Sequence, residues 1–273
     1  MKNKSRIRKM LQDGKIPIGT VVEIGSPELI EVIGNSGYDY VFVDMEHGLY
    51  TIETLLNMVR AAEGYGMDTV VRVQYNEPAL ITQVLDAGAV GVMIPGVSTK
   101  EDAAKAAEAA RYCPDGNRGA SPWVRSTGPC LREDETWTDY IQESNREIML
   151  WLTIEGVEGV QNFQDIIRVP GVDVALLGPF DLSQSLGIPG QINHPKIKEA
   201  FQEMALEAQK ENVLLATVTM INDVSNEAAI QENRDFLNCG GKILCCGCDK
   251  GILAARYREI LKNVRSAATS QAN

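Results

Sequence analysis

The sequence predicts a closed barrel of eight parallel strands alternating with helices, a (β/α)8 fold, from three observations. Short apolar runs rich in branched residues recur eight times, at about 17–24, 38–45, 68–74, 89–95, 148–155, 172–178, 213–220 and 241–247. Segments with helical periodicity fill the gaps between them. The length of 273 residues is close to the ~250 typical of such a barrel and is enough for one large core, so a single domain over 1–273 is the expectation.

In chain order, Thr51 to Arg60, Thr99 to Glu108 and Ala200 to Gln209 carry apolar residues at helical spacing. Several of the predicted helices stop on Gly or Asn, as in Gly34-Asn-Ser-Gly37, Gly64-Tyr-Gly66 and Ala87-Gly88, where the chain needs a left-handed residue before the next strand. A doubly wound open sheet is the competing architecture. The first strand is followed by Gly25-Ser26-Pro27, which opens a helix and is no dinucleotide fingerprint. Two segments interrupt the rhythm. Residues 113–147 read as a long polar insertion with Trp123 and Trp137 exposed, of a length that usually forms a lid or a contact loop. Ser183 to Pro195 is a loop after the sixth strand, and a final helix from Gly251 to Arg265 packs on its own barrel or on a neighbour's.

Charge limits the partners. A net charge of -11 and a pI near 4.8 repel nucleic acid and anionic membrane surfaces and leave a small molecule as the natural ligand. The basic start, Met1 to Met10, has no apolar segment behind it, and nowhere is there a run of ~18 apolar residues, so a soluble cytoplasmic protein is expected. The six cysteines then default to reduced thiols. Cys245-Cys-Gly-Cys248 lacks the second spaced pair of a soft-metal site and reads as small buried residues on a strand.

In a barrel of this kind the chemistry gathers at the carboxyl ends of the strands. The stretch Leu150 to Val160 ends its apolar run on Glu155, and Val174 to Ser183 leads to Asp181. These carboxylates lie on adjacent predicted strands, where two like charges are costly unless a proton or cation sits between them. Two oxygen ligands completed by water suit Mg or Mn, with Co or another divalent ion as a further choice. The structural alternatives are a helix cap for Asp181 and a solvated strand end for Glu155. Arg72 lies inside Thr69-Val-Val-Arg-Val-Gln74, where both faces of a parallel strand are buried, and therefore needs an anion; a salt bridge to a neighbouring strand is the plain structural answer. His47, one of two histidines, follows the second strand with Asp44 and Glu46 as neighbours able to orient its ring, and is a candidate general base. His194 precedes Pro195 at a helix start and reads as a cap.

These residues carry a resemblance. Phe42-Val-Asp-Met-Glu-His-Gly48, Val71-Arg-Val73, Leu85-Asp-Ala-Gly88, Ile94-Pro-Gly-Val97, Arg111-Tyr-Cys-Pro-Asp-Gly-Asn-Arg-Gly119, Ile154-Glu155 and Gly178-Pro-Phe-Asp-Leu-Ser-Gln-Ser-Leu-Gly187 resemble the HpcH/HpaI aldolase family, metal-dependent (class II) pyruvate aldolases typified by 4-hydroxy-2-oxoheptanedioate aldolase. The similarity runs in order from about residue 17 to 260. It implies a (β/α)8 TIM barrel whose C-terminal helix is swapped between protomers of a homo-oligomer, a hexamer. It implies a divalent metal on Glu155 and Asp181, His47 as base with its ring supported by Asp86, and Arg72 stabilising the transition state. The Phe180 amide would hold the pyruvate carboxylate, with Thr153, Asp44 and Arg118 as further substrate contacts. Thr153 stands where the best-known members have Gln, and Phe180 where they have Ala, so the departures bear on acceptor size rather than on the metal.

The expected reaction is aldol cleavage or condensation of 4-hydroxy-2-oxo acids, giving pyruvate and an aldehyde. A Schiff-base route would need a lysine inside the barrel; Lys242 is at the wrong end of its strand and Lys250 lies beyond the eighth. Oxaloacetate decarboxylation or cleavage of a CoA thioester on the same enolate site is the enzymatic alternative, with Arg118, Arg125 and Arg132 as a phosphate or dicarboxylate clamp. A non-catalytic oligomeric binding barrel is the third.

Overall fold

The computed structural model describes residues 4–128, 131, 135–219 and 227–270. The eight strands are β1 (Ile18–Val22), β2 (Tyr40–Asp44), β3 (Asp68–Arg72), β4 (Gly91–Ile94), β5 (Met149–Ile154), β6 (Val174–Leu177), β7 (Leu214–Thr219) and β8 (Ile243–Cys248). Each falls within or against one of the eight apolar runs of the sequence. All pair in parallel in sequence order, and β8 closes on β1, so the sheet is a barrel and not the open alternative. The closing pair is irregular: Gly19 stands opposite Cys245 but Val21 opposite Cys248.

The helices that return the chain are α2 (Pro27–Asn35), α3 (Ile52–Gly64), α4 (Pro78–Asp86), α5 (Lys100–Ala110), α6 (Trp137–Glu147), α7 (Val157–Gln161), α8 (Phe163–Ile167), α9 (Pro179–Ser185), α10 (Pro195–Lys210), α11 (Glu227–Asn238) and α12 (Asp249–Ser270), after a short α1 (Arg6–Gln12). Their starts carry the sequence signals expected of helices. Ser26, Thr51 and Thr99 accept backbone amides as N-caps, Thr99 with Asp102 as a full capping box, and His194 caps α10 as its position before proline suggests.

Period-two alternation splits the core in two. One face of the strands, with Val41, Val43, Val71, Val92, Leu150, Leu152 and Ala175, packs outward under the helices. The other, with Phe42, Val70, Met93, Trp151, Leu176 and Cys245, fills the barrel. α1 was not foreseen: Ile7, fully buried, inserts into the interior cluster and closes the base of the barrel. Buried Asp68 accepts the Ser5 hydroxyl and the Ile7 amide, while Arg8 pairs with Asp173 at 2.7 Å and donates to the carbonyl of Ile148, fixing the plug to three strands.

The 113–147 segment is less of a loop than its polarity suggests. Its second part is α6, and Trp137 stacks on Tyr140 with ring centroids 5.3 Å apart, so only Trp123 is exposed as expected. Cys130 and Arg132 lie outside the described residues. No helix among the described residues is long and apolar enough to cross a membrane.

Candidate active site

The strand termini assemble one cluster. β2 and β3 are in register with Asp44 opposite Arg72, the last residue of each strand. Both belong to the inward-facing set, continuing Tyr40, Phe42 and Val70 by alternation. The fully buried Asp44 carboxylate accepts Nε of Arg72 at 2.9 Å and Nη2 at 2.7 Å, a bidentate pair, and also the Glu46 amide. Glu46 adds a second contact to Arg72 Nε at 3.1 Å. The salt bridge to a neighbouring strand is therefore present, and it aims the guanidinium, still 15% exposed, at the mouth.

Asp44, expected from sequence as a substrate contact, has no exposed surface in this structure, and both its oxygens are engaged by Arg72. Nor does it orient the imidazole of His47. It accepts the His47 backbone amide at 3.5 Å, and the carboxylate beside the ring is that of Glu46, 4.0 Å from Nε2. His47 itself is exposed at the rim.

Glu155 is the first residue beyond β5 and Asp181 lies in the first turn of α9. The N-cap of α9 is Gly178, so Asp181 is not the cap. Glu155 Oε1 accepts the Gly96 amide at 2.6 Å, a contact that sequence reading missed although Pro95-Gly96 directly follows β4. Its side chain leans over Gly178: a Cβ there would stand 2.7 Å from both Cβ and Oε2 of Glu155. Only glycine leaves this space. Burial above all, against the Gly96 amide and with Glu46 and Asp181 adding to it and Arg72 opposing, pushes the Glu155 carboxyl up to about 7. Burial also raises Glu46, against the pull of Arg72. Below them, Thr153 shares the inward face of β5 with Trp151 and Glu155, and its buried hydroxyl has no partner.

The donor set suits a hard divalent cation. A half-buried carboxylate crowded by two others, with an unsatisfied hydroxyl one layer beneath, is a site that gains from positive charge. Among the described residues no group of three or more His, Cys, Asp or Glu is arranged to hold a metal. The cysteines of β8 are not part of it: Cys245 faces the barrel interior and Cys246 contacts Thr219 and Asn233.

Two expected site residues lie elsewhere. Asp86 is the last residue of α4, which leads into β4, and so sits at the base of the barrel, opposite to the mouth. There it accepts Arg118 Nη2 at 2.6 Å, with the Arg118 guanidinium fully buried over the Tyr112 ring. Arg125 binds Glu63 and the Ala87 carbonyl near the ends of α3 and α4. Within one protomer Asp86 does not support His47, and Arg118 and Arg125 are neutralised, not free to clamp a phosphate or a second carboxylate. Lys250, just beyond β8, pairs with Glu23 at 2.8 Å.

The HpcH/HpaI aldolase/citrate lyase family model matches residues 19–246, from within β1 to within β8. The chain belongs to this family. It is 32% identical over 259 residues to a 5-keto-4-deoxy-D-glucarate aldolase of Shigella boydii serotype 18, covering 94% of this chain and 95% of that one. Among solved structures it resembles an HpcH/HpaI aldolase from Desulfitobacterium hafniense DCB-2, with 30% identity, a TM-score of 0.85, and 94% and 96% of the two chains covered. The citrate synthase SbnG is similar as well, at 29% identity and a TM-score of 0.82, covering 98% of this chain and 99% of that one. The family resemblance read from the motifs is thus correct, and the barrel is that of a carbon–carbon lyase of the HpcH/HpaI type.

Proposed function

We propose that this HpcH/HpaI barrel catalyses metal-dependent aldol cleavage and condensation of 4-hydroxy-2-oxo acids, producing pyruvate and an aldehyde. The observation that carries the proposal is the raised Glu155 carboxyl beside Asp181 at the end of adjacent strands, with Arg72 held across the mouth. Glu155 and Asp181 would hold the cation, Mg or Mn by the hardness of their oxygens. Such an ion would supply Lewis-acid catalysis to a 2-oxo acid.

The remaining work falls to this chain's residues. The first amides of α9, Phe180 among them, have no intrahelical acceptor and receive the 2-oxo acid carboxylate. Arg72, preoriented by Asp44 and Glu46, faces the oxyanion that develops when the C3–C4 bond breaks. His47 at the rim takes the proton of the C4 hydroxyl through a water and returns it in the condensation direction; Glu46, 4.0 Å away, stabilises the charged imidazole. Thr153 offers its buried hydroxyl, without a partner among the described residues, to a ligand or water.

One barrel domain in the cytoplasm is part of the same reading, on the reduced-thiol cysteine usage of the sequence. So is a homo-oligomer, a hexamer with α12 exchanged between protomers. α12 supports this because residues 256–268 are exposed, with Tyr257, Ile260, Leu261 and Val264 forming one apolar stripe at helical spacing. A chain ending at residue 255 would then run as a smaller species in sedimentation.

The test is pyruvate release from 4-hydroxy-2-oxo acids by chelator-stripped protein before and after Mn or Mg is added. Release that requires the metal and vanishes in Glu155→Ala is the expected outcome; metal-independent release would refute the mechanism. Oxaloacetate decarboxylation on the same enolate site is the second reading, and the same preparation assays it.

A further inference from the structure

We propose that Tyr50 is the positioning residue of the His47 base: its phenol fastens the end of the 45–50 loop to the main chain of Asp44 and so sets where the imidazole stands at the mouth. This rests on the lyase reading above, in which His47 moves the proton of the C4 hydroxyl. The loop leaves the sheet at Met45, whose amide still donates to the Arg72 carbonyl at 2.9 Å, and it ends at Thr51, the N-cap of α3. Between those points Asp44 receives it twice. The Asp44 carboxylate accepts the Glu46 amide at 3.0 Å and the His47 amide at 3.5 Å, and the Asp44 carbonyl accepts the Tyr50 hydroxyl at 2.7 Å. The residue that aims Arg72 therefore also anchors both ends of the segment that carries the base.

The packing around the ring agrees. Gly48 is buried although His47 and Leu49 on either side of it are exposed, so the loop turns inward there against the Tyr50 ring. A Cβ on Gly48 would overlap both the Asp44 carbonyl oxygen and the ring, and one on Gly25 would stand 2.9 Å from the Tyr50 Cβ. Gly25 belongs to the connection between β1 and α2, whose Glu23 and Ile24 amides donate to the buried Asp249 carboxylate at 3.0 and 2.8 Å. Tyr50 thus ties the His47 loop to a neighbouring connection that is itself fixed from the end of β8. Elsewhere the loop is not tightly packed: a cavity of about 190 Å³ is lined by Met45, Tyr50 and Ile52 together with Val73, Leu80 and Val84. With that space beside it, the hydrogen bond to Asp44 sets the position of the loop more than close packing does. Burial raises the phenol far above its ordinary value, with Asp44, Asp249 and Glu23 adding to it, so the hydroxyl remains a donor throughout the working pH range.

The test uses the full-length protein with Mn. It reads kcat for cleavage of a 4-hydroxy-2-oxo acid, and the dissociation constants of Mn and pyruvate by calorimetry, for the unaltered chain, Tyr50→Phe, His47→Ala and the double variant. Tyr50→Phe is expected to lower kcat at least ~10-fold, the scale set by a misplaced catalytic group. Mn and pyruvate stay within ~3-fold of their original affinities, since neither touches the phenol. The double variant is no slower than His47→Ala, because the phenol then has no base left to position. Gly25→Ala, which crowds the ring from the neighbouring connection, lowers kcat with the same selectivity and takes the place of Tyr50→Phe if that variant does not fold. An unchanged kcat in Tyr50→Phe, or the same proportional loss when His47 is already absent, overturns the inference. So does a loss of Mn or pyruvate affinity beyond ~3-fold, which would make the phenol a support of the whole mouth. In each of these cases the unaltered chain still releases pyruvate and the lyase reading stands; absence of release from the unaltered chain overturns that reading and the inference with it.

Discussion

The raised Glu155 carboxyl makes cation binding a competition with a proton, and the magnitude follows directly. With the group pushed up to about 7 in the folded chain, a metal that binds only the carboxylate loses affinity about 25-fold between pH 7.5 and 5.5; an ordinary glutamate near 4.5 would lose only about 1.1-fold. At pH 6.5 each cation bound displaces about three quarters of a proton. The linkage to folding has the opposite sign to that of a salt-bridged acid. Because the folded chain keeps a proton that the unfolded chain releases above its ordinary 4.5, the contribution of this group to stability falls as pH rises from about 4.5 to about 7, by up to about 3 kcal/mol. Cation binding offsets that loss, so metal raises the Tm more at pH 7.5 than at pH 5.5. Titration calorimetry with Mn in two buffers of different ionisation enthalpy measures affinity and proton release together, and Glu155→Gln removes the proton term. Affinity that is flat from pH 5.5 to 7.5, with no proton released, would refute the assignment of Glu155 as a ligand held near 7 by burial.

Three further outcomes follow from the geometry. Gly178→Ala drives a methyl group into Glu155 and is expected to weaken Mn binding by at least ~10-fold while the fold survives, read by calorimetry and circular dichroism; unchanged binding would mean that Glu155 does not lean over β6. Arg72→Ala strands the fully buried Asp44 charge and costs about 3–5 kcal/mol of stability at neutral pH, whereas Asp44→Asn with Arg72→Met restores most of it without activity, a comparison made by denaturant unfolding. Ile7→Ala empties the base of the barrel and costs about 2–5 kcal/mol, although α1 lies outside the family match at 19–246; a loss below 1 kcal/mol would show that the plug is dispensable.

The barrel was legible because every strand is buried on both faces, so each appears as an unbroken apolar run, and because the returning helices carry caps and left-handed stops that punctuate it. Glu155, Asp181 and Arg72 were legible for the complementary reason: a charge at the end of such a run has nowhere to go but the mouth. α1 was not, since a single amphipathic turn bearing Arg6, Arg8 and Lys9 looks like a solvated start until Asp68 and Asp173 are seen to receive it. The aromatic cluster under α6 was hidden for the same reason, because polar residues between Trp137 and Tyr140 mask a buried stack. Gly96 escaped notice because its contribution is a backbone amide, to which side-chain chemistry gives no clue.

Asp44, Asp86 and Arg118 show how nearness in a motif differs from nearness in space within one protomer. Asp44 belongs to the strand itself, so alternation turns it inward below the rim, where register sets it against Arg72 and leaves it no surface. His47, three residues on, has left the sheet and stands in solvent. Asp86 closes a helix and Arg118 follows one; in a (β/α)8 barrel a residue that ends a helix before a strand is at the base, and one that ends a strand before a helix is at the mouth. That rule separates the charged groups of this chain into two sets without reference to any coordinate: Asp44, Arg72, Glu155 and Asp181 where strands lead into helices, Glu63, Asp86 and Arg118 where helices lead back toward strands. The second set is paired internally, Glu63 with Arg125 and Asp86 with Arg118, and ties the 113–128 segment to α3 and α4. The first set is left with an excess of carboxylates over guanidinium groups, and that excess at one end of the barrel is what a divalent cation answers.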